Sequence, residues 1–170
     1  MRHISAIFLL IIAILLCSCD SQPIEPFELS VADYDYSRAY SILYKVSNQK
    51  LTVLFRGELE NEKDSILYTK TNLPVKEIRK LSGINLDSLG VFYSNPCIAD
   101  GDIKVYKFTK NGKTKQIQVQ NYYHQELDLA IEVINDLVPE ELQMYHNKEG
   151  LISSLKRCGQ SQIRMSWNDD

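Results

Sequence analysis

Four cysteines and three histidines are the side chains of this chain best suited to chemistry. Cys97, Cys158, His124 and His146 have the donor types of a zinc site, but structural zinc sites take ligands in closely spaced pairs and these four are scattered. Cys97 with His124 would form a nucleophile–base pair only if a neighbour stabilised the thiolate and a third group oriented the imidazole, and nothing local does either. Asp100-Gly101-Asp102 offers carboxylates to a cation. A calcium loop needs five or more oxygen ligands at set spacing, and the downstream acid of such a loop is missing, so the tripeptide reads as a turn before a strand. Gly-rich phosphate loops, G-x-S-x-G and H-E-x-x-H are absent. No catalytic residue, metal or cofactor is therefore expected, and a hydrolytic activity would have to rest on dispersed acids or on a cysteine.

The remaining cysteine chemistry lies at the start of the chain. Arg2 and His3 precede Ile4 to Leu16, an almost unbroken apolar run. That run is well short of the ~20 residues that cross a bilayer as a helix, and its length and flanks suit a signal peptide. Leu16-Cys17-Ser18-Cys19 then resembles a lipobox, with Leu three residues before the cleaved bond, a small residue next to it and Cys after it. The chain so resembles a bacterial lipoprotein precursor. The resemblance covers the leader alone and implies removal of residues 1–18, lipidation of Cys19 and retention on a membrane of the cell envelope. Each buried methylene contributes ~0.8 kcal/mol, and stable anchoring takes more than one acyl chain. Residues 19–32, with Pro23 and Pro26, read as the lipidated cysteine and an extended tether, and 33–170 as a single domain.

Once the leader and its Arg2 are removed, eighteen Lys and Arg stand against twenty-two Asp and Glu, a net charge of −4. The bases are spread along the chain, which argues against nucleic acid or an anionic membrane surface as partner. Cys97 and Cys158 remain, and in an exported domain they read as a disulfide or as two structural thiols.

The elements that position these residues follow from periodicity. Placing Asn48-Gln49 in a two-residue turn pairs Val46 with Leu51, Tyr44 with Val53 and Ile42 with Phe55 on one face, a sorting that a one-residue slip would scatter. Ser65 to Thr71 is expected to extend this hairpin into a meander. A short helix follows Pro74, with Val75, Ile78 and Leu81 as its stripe and Gly83 as a left-handed cap. Ile84 to Asp100 reads as irregular. Around Asn111-Gly112, a three-residue loop from Lys110 gathers the apolar residues by pairing Val105 with Ile117 and Ile103 with Val119. Gln125 to Val138 has strong helical spacing, Pro139 introduces a further helix over Glu140 to His146, and Leu151 to Cys158 reads as another. Ile163, Met165 and Trp167 alternate as in a final strand. Hairpins followed by helices imply an α+β fold, an antiparallel sheet with helices packed on one face.

Ten tyrosines complete the picture. Tyrosine suits half-buried strand positions and also binding surfaces. Tyr93, Tyr106, Tyr122, Tyr123 and His124 gather around the second hairpin and its exit, where a binding surface is expected. The mature part is similar to small lipoproteins of the Bacteroidota type, through the lipobox, the proline-bearing tether, the Tyr-rich domain, the Asn-Gly-Lys hairpin and the Tyr-Tyr lead into a Leu/Ile helix. That resemblance implies an envelope location and no particular activity. The expected role is a non-catalytic module that binds a protein, peptide or glycan; an envelope hydrolase is the alternative, and a structural or inhibitor-like lipoprotein the third. Cys19→Ala is expected to abolish metabolic labelling with a fatty acid, and undiminished labelling of that variant would remove the lipobox reading.

Overall fold

A computed structural model describes residues 23–35, 39–57, 59, 61–98 and 101–158. The leader, Cys19 and the strand expected around Ile163, Met165 and Trp167 lie outside the described residues. The fold is α+β. Its strands are β1 (Phe27–Asp35), β2 (Tyr40–Ser47), β3 (Lys50–Gly57), β4 (Ser65–Thr71), β5 (Phe92–Ser94), β6 (Ile103–Lys110) and β7 (Lys113–Gln120). Its helices are α1 (Val75–Ser82), α2 (Gln125–Leu137) and α3 (Lys148–Cys158). The strands form one seven-stranded sheet in the order β4-β3-β2-β1-β6-β7-β5, antiparallel except that β5 runs parallel to β7.

The first hairpin has the expected register, Val46 opposite Leu51, Tyr44 opposite Val53 and Ile42 opposite Phe55. Its tip is held from outside the hairpin. The Asn48 side chain accepts the Phe27 amide at 3.0 Å and donates to the carbonyls of Ile24 and Glu25 at 3.3 and 3.2 Å. Those bonds position the start of β1, which is the main departure from the sequence reading. Phe27 to Ala32, expected in the tether, are part of the central strand. Phe27, Leu29 and Val31 alternate into the core, so the strand period was present; the prolines before it masked it.

The second hairpin also departs from expectation. Its loop is the two-residue Asn111-Gly112, with φ of 52° and 74°, the left-handed pair that such turns favour. Tyr106 therefore faces Ile117 and Lys104 faces Val119, and the pairings Val105–Ile117 and Ile103–Val119 do not occur. The apolar sorting kept Lys104 off the buried face because an unpaired ammonium is costly there. Lys104 is buried nonetheless, held by two carboxylates.

Three full cross-strand rows run along the inner face of the sheet. Lys70, Leu51, Val46, Leu29, Phe108 and Lys115 form one, and Tyr68, Val53, Tyr44, Val31, Tyr106 and Ile117 the next. The third runs Phe55, Ile42, Asp33, Lys104, Val119 and Tyr93. The apolar members join Ile78 and Leu81 of α1 and Leu127, Ala130, Ile131 and Ile134 of α2 in one core. Fully burying a side chain of this size contributes roughly 1.5–3 kcal/mol. On the outer face, Thr69, Thr52, Lys45, Ser30, Lys107 and Gln116 form a polar row.

Smaller departures have local causes. Val75, expected in the stripe of α1, is exposed, and Gly83 is right-handed (φ −77°) because Ile84 bonds back to Leu81 and turns into the core. The segment expected as irregular contains β5. Glu140 to His146 makes only a single 3-10 turn, Glu140–Leu142. There Asn135 of α2 binds both backbone groups of Met144, at 2.8 and 3.0 Å, and draws the chain out extended. α3 begins earlier than expected, with Asn147 accepting the Gly150 amide at 2.9 Å. Cys97 and Cys158 are joined, 61 residues apart, tying the loop after β5 to the end of α3. Closing a loop of that length stabilises the fold by about 4 kcal/mol on chain-entropy grounds. Cys97→Ser/Cys158→Ser is therefore expected to lower the unfolding free energy by about that amount in a urea titration, with hydrogen exchange rising first in α3.

Candidate functional site

The third inner row places charge in the middle of the sheet. Asp33 of β1 and Lys104 of β6 are direct cross-strand partners, and Asp102 precedes Lys104 by two residues on the same face. The Lys104 ammonium lies 3.1 Å from Asp33 and donates to Asp102 as well. Burial raises the Asp33 carboxyl above the ordinary carboxylate range, Lys104 pulls it down, and the like charges of Asp102 and Asp35 push it up. Gly101 and Asn121 brace this corner. The Asp102 amide donates to Asn121 Oδ1 at 2.8 Å, and Asn121 donates its own amide to the Asp102 carbonyl at 2.9 Å. A Cβ on Gly101 would lie 2.3 Å from Asn121 Oδ1, and its φ of 141° is one that side chains rarely adopt.

A second ionic group sits above the first, beneath α2 and α3. Asp128 is buried and contacts both His146 Nε2 and Lys148, the latter at 2.9 Å, and Lys148 also reaches Glu132 at 2.7 Å. Tyr106 lies between the two groups. Burial, then the charges of Asp102, Asp33 and Asp128, raise its hydroxyl well above the usual value, so it stays protonated. The void among Lys104, Tyr106, His124, Asp128 and His146 is about 10 Å³. That is about the room for one water and none for a substrate. This cluster is a braced interior.

Space opens on the other side of Asp33 and Asp102. A cleft of about 1040 Å³ lies between the far ends of β1, β2 and β6 and the segment after α2. Tyr34, Tyr40, Tyr44 and Tyr145 give it aromatic walls, and Asp33, Asp35, Asp102 and Glu141 line it with carboxylates. No Lys, Arg or His is among its described lining residues. Its outer wall is fixed by the Tyr44 hydroxyl, which donates to the Leu142 carbonyl at 2.8 Å, and by Gln143, which donates to the Asn135 carbonyl at 3.1 Å. Tyr145 remains 69 % exposed at the rim.

The residues singled out from sequence lie elsewhere. Tyr93, Tyr122 and His124 come together, with ring centroids 5.4 Å apart for Tyr93–Tyr122 and 4.8 Å for Tyr93–His124. Tyr93 and Tyr106 are buried and present no surface to a ligand, which corrects the expectation that they belong to a binding face. Tyr122, Tyr123 and His124 are half-buried. Lys148 lies 5.8 Å from the Tyr123 ring centre. His124 occupies the N-cap of α2 without capping it, and burial lowers its pKa against the opposing pull of Glu126. Cys97 is bonded to Cys158 and so is not a thiol available to His124. Among the described residues no cluster of three metal-ligating side chains occurs, and no helix is long and apolar enough to cross a membrane. Sequence reasoning missed Asp33 and Tyr145, and it read Asp102 only as part of a turn before a strand. The alternation of acid and tyrosine in Asp33-Tyr34-Asp35 was the available signal. Comparison of the chain with protein-family models, curated proteins and solved structures finds no match.

Two outcomes follow. Lys104→Met leaves two partly buried carboxylates without their cation and should cost about 3–5 kcal/mol in urea unfolding, whereas adding Asp33→Asn and Asp102→Asn should recover most of it. The depressed pKa of His124 means that the unfolded chain takes up a proton there before the native one does. Stability should thus fall as pH drops below about 6.5, and His124→Gln should flatten that slope in urea midpoints measured from pH 7.5 to about 5.

Proposed function

We propose that the chain is a lipid-anchored lipoprotein of the cell envelope whose domain is a non-catalytic binding module. In this reading Cys19 carries the lipid, the helices cover the inner face of the sheet, and the tyrosine cleft takes a cationic group borne by a peptide or an amino-sugar glycan. The observation that carries the ligand class is the described lining of the cleft: four tyrosines with the carboxylates of Asp33, Asp102 and Glu141, and no Lys, Arg or His among the described lining residues. Asp33 and Asp102 share Lys104 behind them, so that pair keeps one net negative charge at the floor, and Glu141 adds another at the wall. Tyrosine faces attract a cation by about 0.5–1 kcal/mol when exposed and more when it is desolvated. The common contribution of Asn135 and Tyr44 to the outer wall supports a pocket formed before the ligand arrives.

One observation favours the hydrolase alternative, the raised Asp33 carboxyl converging with Asp102 at a cleft floor. Against it, both acids are committed to the same ammonium, and the described lining of the cleft holds no Ser, Thr or Cys. Turnover of a peptide or glycan that is lost in Asp33→Asn would establish that alternative.

For the binding module, the expected result is salt-sensitive binding of an oligolysine peptide and none of an oligoglutamate peptide in calorimetric titration. Tyr145→Ala and Glu141→Gln, both at exposed positions, should each weaken it roughly fivefold, about 1 kcal/mol. Tyr123→Ala should leave it unchanged. Equal affinity of wild type and Tyr145→Ala would exclude the cleft as the site.

A further inference from the structure

We propose that the outer face of the sheet, at the end where β1 begins, docks on the phosphate headgroups of an anionic bilayer and turns the tyrosine cleft away from it. This rests on the anchored-lipoprotein reading and adds an orientation to it. The net negative charge of the chain conceals a separation along the strands. Lys45 and Lys107 flank Ser30 in one cross-strand row, two strands apart and so about 10 Å from each other. Lys50 stands near them on β3, and Ser30, Ser47, Thr52 and Thr109 complete a shallow groove of about 590 Å³ in which Glu28 is the one acid among the described lining residues. Arg56 also borders the groove but is paired with Asp64 at 2.9 Å. Lys45, Lys50 and Lys107 are exposed and make no ion pair with a described residue. The charge of Lys45 acts on Asp64, which is itself paired with Arg56, and three like charges gathered on one face favour an anion against them. The hydroxyls of Ser30 and Thr52 beside them are donors suited to phosphate oxygens.

The position of the anchor selects the occupant. Both hairpin tips flank the start of β1, since Glu28 pairs with Ser47 and Phe27 with Lys110. The groove continues into the hollow between those tips, which share Glu28, Ser47 and Thr109 with it. Cys19 precedes Phe27 by eight residues, a reach of at most about 29 Å. The lysines therefore stay within a short distance of the membrane, while Asp33 and Asp35 lie at the opposite end of β1.

The test uses the full mature chain recovered from membranes and reconstituted on two kinds of vesicle: phosphatidylcholine alone, and phosphatidylcholine with roughly a third of phosphatidylglycerol. Surface amines are acylated with a membrane-impermeant reagent and located by peptide mass spectrometry. Lys45, Lys50 and Lys107 should label at least fivefold more slowly on the anionic vesicles, with the difference lost in high salt, while exposed Lys63 and Lys156 label alike on both. Equal labelling of the three lysines on both vesicles overturns the proposal. Protection by a single-stranded oligonucleotide but not by anionic vesicles overturns it in favour of a nucleic-acid surface. Failure of the chain to stay on neutral vesicles counts against the anchor alone, because the anionic arm still reads docking.

Discussion

The structure turns on one buried ammonium. Lys104 lies on the inner face of the central strand pair, between Asp33 across the ladder and Asp102 along its own strand. Removing these charges from water costs several kcal/mol per ion, and the attraction between them returns that cost only while all three keep their positions. The arrangement therefore acts chiefly on specificity. Sliding β6 by one residue against β1 would put Lys104 on the outer face and leave Asp33 buried without a cation, and the apolar rows on either side would fall out of line with it.

That constraint operates where the two halves of the sheet meet. Among the described strands β1 alone joins the first meander to the second hairpin, so its register with β6 sets the position of everything beyond it. Around this seam the irregular segments are pinned by side chains instead of by ladders. Asn48 holds the start of β1, Asn121 the corner before β6, and Asn135 the chain after α2. Asn95 of the loop after β5 bonds to Ser154 of α3 at 3.0 Å, beside the Cys97–Cys158 bridge. Each asparagine gives a donor and an acceptor at one point, which suits it to hold backbone that has no strand partner. The walls of the cleft are built this way, on a floor made by the ionic seam.

The same seam explains which expectations failed. The first hairpin was readable because its buried face is apolar throughout and its charges fall on the other side. The second was misread because the rule that sorts apolar from charged residues has an exception at Lys104, and the exception becomes visible only when Asp33, seventy-one residues earlier, is set opposite it. Tyr106 failed as a surface residue for a related reason. A strand tyrosine is equally at home on either face, and its place between Asp33, Asp102 and Asp128 comes from three separate elements. The segment 140–146 had helical composition, but Asn135 competes for its backbone and wins.

By itself, the order of residues determined the short-range features: the register of the first hairpin, the extent of β4, the long helix of α2 and the broad α+β class. These depend on period and on neighbours within a few residues, and the chain carries both in plain view. Tertiary structure alone decided that Phe27 to Asp35 is the central strand, that a lysine belongs in the core, that carboxylates and tyrosines meet in one cleft, and that exposed lysines gather at the opposite end. Each of those outcomes is a pairing of charges or hydrogen-bonding groups far apart in the chain. The free energy of burying a charge is set by its partner, and the partner becomes known only when the strands are side by side.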